Sequence, residues 1–148
     1  MTEEQVTKAI LRGLMQEGWK IVCYDFPQSG TGVFLHPNDS NEKNKDTINP
    51  DIVAVKNNKC VFFENKSYFY YPDFEKINTL RNTNDYSEAI DDLLERYNIE
   101  LIYYGIGYPS FAHKKKAQES VTMTDFIVGV TDNRKIEVLY LSDMDIFN

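Results

Sequence analysis

The sequence predicts an α/β fold in which a central mixed β-sheet is flanked by helices on both faces. Three observations predict it: an amphipathic helix near the N-terminus, a hairpin whose strands are apolar on both faces, and a later alternation of helices and strands. A strand pair that is apolar on both faces needs cover on both sides. With 148 residues, 42% of them hydrophobic, the chain has room for a proper core. We therefore expect one domain over residues 1–148.

The first helix is predicted from its start signal and its apolar stripe. Thr2 and Gln5 form a capping-box pattern, in which each side chain bonds the backbone N–H of the other residue. Apolar residues then recur at helical spacing, at Val6, Ile10 and Leu14. Gly18 suits the end of the helix. A strand is expected over residues 19–26, and a long polar loop over residues 27–49.

A β-hairpin is predicted over residues 51–67. Two apolar runs flank Asn57 and Asn58, and asparagine tolerates the positive φ that tight hairpin turns require. With these two residues as the turn, side chains alternate between the faces, and the apolar sets are Ile52, Ala54, Val61 and Phe63 on one face and Val53, Val55, Cys60 and Phe62 on the other.

The same register places two acids opposite each other at the open end of the hairpin. Asp51 faces Glu64, and directly opposed residues lie roughly 4.5–5.5 Å apart at Cβ, where like charges repel. A divalent cation between them would explain the pair. Lys66 lies two residues beyond Glu64 and projects from the same face. Asp51, Glu64 and Lys66 are therefore expected to converge on one point.

Two helices and three strands are expected after the hairpin. The composition predicts helices over residues 73–81 and 85–97, and strands over residues 101–106, 126–130 and 136–141. Asp73 is expected to cap the first of these helices. The run Gly107-Tyr108-Pro109 is expected to end the first of these strands.

The net charge of −7 excludes strong, unspecific binding to nucleic acid over the whole surface. The acids are concentrated: residues 85–100 hold six acids against one arginine, and residues 137–148 hold three acids and no base. The remainder, with the candidate site, is close to neutral. Phosphate contacts need one local basic surface, so the acidic segments are expected to point away from a nucleic acid.

The composition also indicates the cellular compartment of the protein. Cys23 and Cys60 both fall in apolar strand-like segments and are expected to be buried free thiols in a reducing environment. Neither an apolar run of about 18 residues nor a signal-peptide pattern is present. We therefore expect a cytoplasmic protein with no membrane contact.

The acids and the lysine also carry a family resemblance. Pro50-Asp51 followed by Glu64, Asn65 and Lys66 resembles the motif of the PD-(D/E)XK nucleases. The resemblance implies a restriction-endonuclease-like core of a helix, three antiparallel strands, a helix and a strand. It also implies that Asp51 and Glu64, with the carbonyl of Asn65, bind Mg²⁺, with Mn²⁺ able to substitute, and that Lys66 lies beside the attacked phosphate.

Residues 2–66 also resemble the archaeal Holliday-junction resolvases, and the chain could equally be one of the small type II restriction endonucleases, which share the same core with variable additions. The matching pieces are Gly18-Trp19, Ser29-Gly30, Pro50-Asp51 and Glu64-Asn65-Lys66. The resolvases also place a glutamate in the first helix. Thr7 stands at that position here, and Glu4, one turn earlier, is a candidate added metal ligand.

The activity implied is metal-dependent endonucleolytic hydrolysis of DNA phosphodiester bonds, on duplex or branched DNA. Ser29 is a candidate phosphate contact or a plain polar turn residue. Lys114, Lys115 and Lys116 form a candidate grip on backbone phosphates or a solvated charge run. Alternatives are a resolvase-type structure-specific nuclease and a non-catalytic DNA-binding or assembly module on the same fold.

One active site cuts one strand, so cleavage of both strands predicts a symmetric homodimer. The apolar and aromatic segments over residues 68–71 and 103–111 are the predicted dimer surface.

Overall fold

The computed structural model describes residues 1–25, 32–38 and 47–148. The four helices are α1 (Glu3–Gln16), α2 (Tyr71–Asn82), α3 (Ser87–Leu94) and α4 (Lys115–Ser120). The six strands are β1 (Lys20–Tyr24), β2 (Ile52–Lys56), β3 (Lys59–Asn65), β4 (Leu101–Pro109), β5 (Phe126–Val130) and β6 (Ile136–Leu141). Short 3₁₀ turns at Ser110–Ala112 and Val121–Met123 flank α4.

All six strands form a single mixed sheet in the order in which they occur along the chain. The first three strands are antiparallel neighbours. β4 runs parallel to β3, β5 runs parallel to β4, and β6 returns antiparallel at the edge. This confirms the predicted α/β fold with a mixed sheet. β2, β3, β4 and β5 are interior strands, so the hairpin lies in the part of the sheet that is covered on both sides.

The two faces of the hairpin belong to two separate hydrophobic clusters. One cluster packs beneath α1 and includes Ile52, Ala54, Val61 and Phe63. The other packs beneath α2 and α3 and includes Val53, Val55, Cys60 and Phe62. Both sets match the faces predicted from the register. Cys23 and Cys60 are buried free thiols, as expected.

The hairpin turn sets this register. Asn57 has a φ of 56°, the positive value expected of a tight turn. The paired residues run from Lys56 opposite Lys59 to Ile52 opposite Phe63. The ladder ends at this pair. The Asp51 N–H donates to the Phe63 carbonyl over 2.9 Å, so Asp51 is held against the end of β3, although the predicted pairing of Asp51 with Glu64 is not part of the ladder.

α1 follows its sequence signals closely. The Thr2 hydroxyl accepts a hydrogen bond from the Gln5 N–H, and the Gln5 side chain accepts one from the Thr2 N–H, so the capping box is complete. Gly18 has a φ of 90°, which a glycine adopts without strain as the chain turns into β1. The capping box therefore fixes the N-terminal end of α1, which lies near the strand ends where β2 begins and β3 ends.

Several predicted boundaries are wrong. α2 begins at Tyr71, and Tyr70 is its cap residue, so Asp73 lies inside the first turn, where it is buried. α3 ends at Leu94, three residues before the predicted end. β4 continues through Gly107-Tyr108-Pro109, because pairing with β3 and β5 on both sides holds these residues in the sheet.

Among the described residues, no helix is both long and apolar enough to cross a membrane.

We expect Gly105→Ala to destabilise the protein by about 1–3 kcal/mol, the usual cost of overfilling a core. A Cβ at this position in β4 would lie 2.5 Å from the backbone oxygen of Phe126 and 2.3 Å from its ring. Urea unfolding measures the loss, with exposed Gln118→Ala on α4 as control. Equal midpoints for Gly105→Ala and the parent protein would contradict this packing.

Candidate active site

The candidate site lies where β2 begins and β3 ends. The Asp51 N–H donates to the Phe63 carbonyl over 2.9 Å, so the residue before β2 is still held against β3. The Asn65 N–H in turn donates to Oδ2 of Asp51 over 2.7 Å. Backbone groups at the strand ends therefore fix the position of the Asp51 carboxylate.

Asp51, Glu64, Asn65 and Lys66 line one cavity of about 250 Å³. The sequence predicted this convergence, and the register of the hairpin produces it. The other lining residues come from the start of α1 and from the chain around β1 and β2: Glu3, Thr7, Asp25 and Asn49. A second cavity of about 220 Å³, near Leu14 and Trp19, is lined mainly by apolar side chains and offers no comparable convergence of charge.

The two acids are poorly solvated and close to each other. Burial raises the pKa of Asp51, and the neighbouring Glu64 carboxylate raises it further, against the Asn65 N–H, which lowers it. Burial also raises the pKa of Glu64, and the charge of Lys76 offsets part of that rise. In the absence of additional positive charge, this pair resists full ionisation, which is the condition under which a divalent cation gains most from binding.

Lys66 is held at the mouth of the cavity from two sides. Its Nζ lies 3.2 Å from Oε1 of Glu3 and 5.2 Å from the centre of the Tyr70 ring. Burial lowers the pKa of Lys66, but the charges of Asp73 and Glu3 outweigh burial, so the pKa is raised overall. The ammonium is therefore charged at neutral pH and positioned beside the acids.

Sequence reasoning missed two members of the site on α2. Nζ of Lys76 lies 3.0 Å from Oε1 of Glu64. Asp73 is 3% exposed, and burial raises its pKa to about 6 although Lys66 and Lys76 oppose the rise. The available signal was their spacing, because residues three apart on a helix share a face and this helix starts at Tyr71, five residues after Lys66.

The acid that α1 contributes to the cavity is Glu3, whereas Glu4, the candidate added ligand, does not line it. Glu4 forms an ion pair with Lys8 over 3.3 Å, with both side chains about half exposed. Glu3 lines the cavity and bonds Lys66. Thr7 also reaches the site, where its hydroxyl accepts a hydrogen bond from the Asn65 side-chain amide over 3.1 Å.

Two further polar residues extend the site toward β1. The Asn49 side-chain amide donates to Oδ2 of Asp25 over 2.8 Å, and the Asp25 N–H donates to the Asp51 carbonyl over 2.8 Å. They tie the loop before β2 to the end of β1. This support lies in a long polar loop with no periodic pattern, so its register could not be read from the sequence.

The predicted phosphate contacts lie outside the cavity. Ser29 falls outside the described residues. Lys114, Lys115 and Lys116 are exposed at the start of α4. α4 follows the end of β4, and the Lys66 N–H donates to the Gly107 carbonyl of that strand over 3.0 Å. The lysines therefore follow the same end of the parallel strands β3 and β4 at which the cavity lies. Their contact with a phosphate stays a prediction.

Comparisons with known proteins find few similarities. No family model matches the chain, and no curated protein matches it. Two solved structures are similar in fold. An XisH family protein from Nostoc punctiforme PCC 73102 is 13% identical with a TM-score of 0.48, and the match covers 92% of this chain and 99% of that one. A fdxN element excision controlling factor protein from Anabaena variabilis is 14% identical with a TM-score of 0.48, over 93% and 99%.

We expect Asp51→Asn to stabilise the metal-free protein at pH 8 and to have a much smaller effect at pH 5. A raised folded-state pKa means that the folded protein binds the proton more tightly than the unfolded chain. The destabilisation is therefore absent below the unfolded-state pKa near 4, grows as the pH rises from there to the folded-state pKa of about 8, and is complete above it. Asparagine retains the acceptor for the Asn65 N–H.

The gain at pH 8 should be at least about 1.4 kcal/mol, the equivalent of one pKa unit. Thermal and urea unfolding at both pH values measure it. Asp92→Asn, an exposed change on α3, is the matched control. A gain that is the same at pH 5 and pH 8 would show that repulsion between the buried acids is not its source.

Proposed function

We propose that this protein is a metal-dependent endonuclease that hydrolyses DNA phosphodiester bonds, with the site of a PD-(D/E)XK nuclease. One observation carries the proposal: Asp51, Glu64 and Lys66 line a single cavity at the end of two central strands. A hairpin with surface charges would leave such groups apart and solvated. Here the carboxylates of Asp51 and Glu64 interact in a poorly solvated cavity that Lys66 also lines.

The donor set fits Mg²⁺. Mg²⁺ is usually bound by one or two carboxylates, with waters and substrate phosphates completing its shell. Among the described residues, no three Asp, Glu, His or Cys side chains are clustered to hold a metal ion by themselves. Asp51 and Glu64, with the carbonyl of Asn65 as a predicted third ligand, supply the oxygen donors for such an open site. The ion pair of Lys76 with Glu64 over 3.0 Å supports the proposal, because it places a positive charge at this carboxylate.

A bound Mg²⁺ would polarise the scissile phosphate and lower the pKa of a coordinated water. The side chains of this chain would do the rest. Lys66 would stabilise negative charge on the phosphoryl oxygens and orient the attacking water. Glu3 would hold Lys66 in place, and the Asn65 N–H would fix the carboxylate of Asp51.

The charge distribution leaves the site accessible to DNA. The acidic segment over residues 85–100 ends at the opposite end of the sheet, where the Glu100 N–H donates to the Asn58 carbonyl in the hairpin turn. Asp51 lies at the other end of the same strands. Phosphate repulsion by these acids is therefore weakest where the cavity opens.

A resolvase-type nuclease acting on branched DNA is the second candidate. The observation that favours it is Glu3, which brings a carboxylate from the first helix into the cavity. The resolvases also place a glutamate on that helix, although Thr7 stands at the corresponding position here. A non-catalytic DNA-binding module would not need the complete set of acids and lysine, and metal titration of the purified protein separates it from a nuclease.

We expect Asp51→Asn, Glu64→Gln and Lys66→Met each to lower the rate of DNA cleavage by at least about 10²-fold, the loss typical of one stabilising group. Cleavage in the parent protein should require Mg²⁺ or Mn²⁺ and stop with EDTA. The assay compares supercoiled plasmid, linear duplex and a four-way junction. Faster cleavage of the four-way junction than of the other two DNAs would favour the resolvase-type nuclease.

Lys56→Met and Glu100→Gln are the matched controls, because they make the same charge changes at the turn end of the hairpin. Circular dichroism confirms that each variant is folded. Cleavage that survives in the three site variants, or that persists in EDTA, would contradict the proposal. A folded parent protein that neither binds Mn²⁺ nor cleaves any of the three DNAs would favour the non-catalytic module.

A homodimer is the proposed assembly, and burial revises its predicted surface. β4 is an interior strand, so Tyr104 and Tyr108 are buried and the segment over residues 103–111 cannot form an interface. Phe111 alone of that segment is an exposed large apolar residue. The segment over residues 68–71 keeps three exposed rings: Tyr68 at 54%, Tyr70 at 41% and Tyr71 at 47%.

We expect sedimentation at micromolar concentration to give twice the chain mass of 17.3 kDa. The double change Tyr68→Glu and Tyr71→Glu should dissociate the dimer, because buried glutamates would face each other across the interface. Val138→Glu, at a residue 49% exposed on the edge strand β6, is the control. A parent protein that sediments as a monomer with and without DNA would rule the dimer out.

A further inference from the structure

Helix α2 brings two charged side chains to the site that the motif does not include. Asp73 and Lys76 lie three residues apart, so they share one face of the helix. Lys76 bonds Oε1 of Glu64 over 3.0 Å. The lysine side chain is 37% exposed, and that of Glu64 is 9% exposed. A partly solvated ammonium is therefore paired with an almost fully buried carboxylate.

This pairing places Lys76 in competition with a metal ion. A divalent cation at Glu64 and an ammonium bonded to the same carboxylate repel each other, and the repulsion is strong in a poorly solvated cavity. The carboxylate gains from either cation, since an uncompensated buried charge is costly. Binding of the metal therefore requires Lys76 to give up or weaken its bond to Glu64.

Asp73 offers the displaced ammonium a place to go. Asp73 is 3% exposed, and among the described residues its Oδ2 has no hydrogen-bond partner. A buried acceptor without a partner is destabilising. The carboxylate also senses the charges of Lys66 and Lys76 directly. Oδ2 of Asp73 is buried and has no partner among the described residues, and it lies one helical turn from the partly exposed Lys76. It could therefore accept a hydrogen bond from Lys76 in a second position of that side chain.

We propose that Lys76 is a two-position counter-cation, bonded to Glu64 in the metal-free protein and to Asp73 when a divalent cation occupies the site. The inference rests on the proposed function, because it takes Asp51 and Glu64 as metal ligands. Lys76 is a positioning residue: it holds Glu64 in place before the metal arrives. Asp73 then offsets the cost of releasing it, so the two residues together set the metal affinity.

The test is a double-mutant cycle on metal binding, with Mn²⁺ as the probe. Isothermal titration calorimetry at pH 7.5 is carried out on the parent protein, Lys76→Met, Asp73→Asn and the double variant. Lys76→Met removes the competitor and should tighten Mn²⁺ binding about tenfold. Asp73→Asn removes the second position and should weaken binding by a similar factor. In the Lys76→Met background, Asp73→Asn should have little further effect, since no ammonium remains to be released.

The cycle separates the proposal from a general charge effect. If Asp73 acts only through its negative charge, Asp73→Asn weakens Mn²⁺ binding equally in both backgrounds, and the proposal is overturned. Lys56→Met makes the same charge change at the far end of β2 and should leave the affinity unchanged. Lys76→Gln repeats the measurement if the methionine variant does not fold, with circular dichroism as the check.

The same titrations distinguish the two levels of failure. Mn²⁺ binding that is lost in Glu64→Gln but unchanged in Lys76→Met and Asp73→Asn leaves the metal site standing and overturns the role of Lys76. No binding to any variant, Lys76→Met included, removes the metal site and the proposed function with it. Binding that first becomes measurable in Lys76→Met supports the competition directly.

Discussion

The pairing of β2 with β3 is the constraint on which the rest of the structure depends. Its register is fixed at one end by the positive φ of Asn57 and along its length by apolar side chains on both faces. A slip of one residue would exchange the two faces and carry Asp51 and Glu64 out of register. Since both faces are buried, such a slip would also change the contacts that the hairpin side chains make in two hydrophobic clusters.

The same pairing creates an electrostatic problem at its open end. It places two acids against each other at a strand terminus that is buried by α1 on one side and α2 on the other. Two separate contacts offset part of the cost of burying the two carboxylates. The Asn65 N–H donates to Asp51, and Lys76 bonds Glu64. Burial outweighs both contacts, so the pKa of both acids stays raised. A site left short of positive charge in this way is suited to a cation that comes from solution.

The sequence predicted most of this arrangement because the signals are local. The hairpin, its faces and the convergence of Asp51, Glu64 and Lys66 all follow from a two-residue turn and the period of a strand. The length of β4 could not be predicted, since Gly107 and Pro109 stay in the strand only because β3 and β5 pair with it. Glu3 was missed in favour of Glu4 because the rotation of α1 over the sheet is set by packing.

The position of Asp73 and Lys76 follows from topology more than from local sequence. β3 and β4 are parallel neighbours, so the chain must cross over one face of the sheet to return to the starting edge. That crossover begins directly after Lys66, and α2 is its first element. The first two turns of α2 must therefore lie over the end of β3, where the cavity opens. Any charged residue on the inner face of those turns becomes part of the site's electrostatics, whether or not it belongs to a recognisable motif.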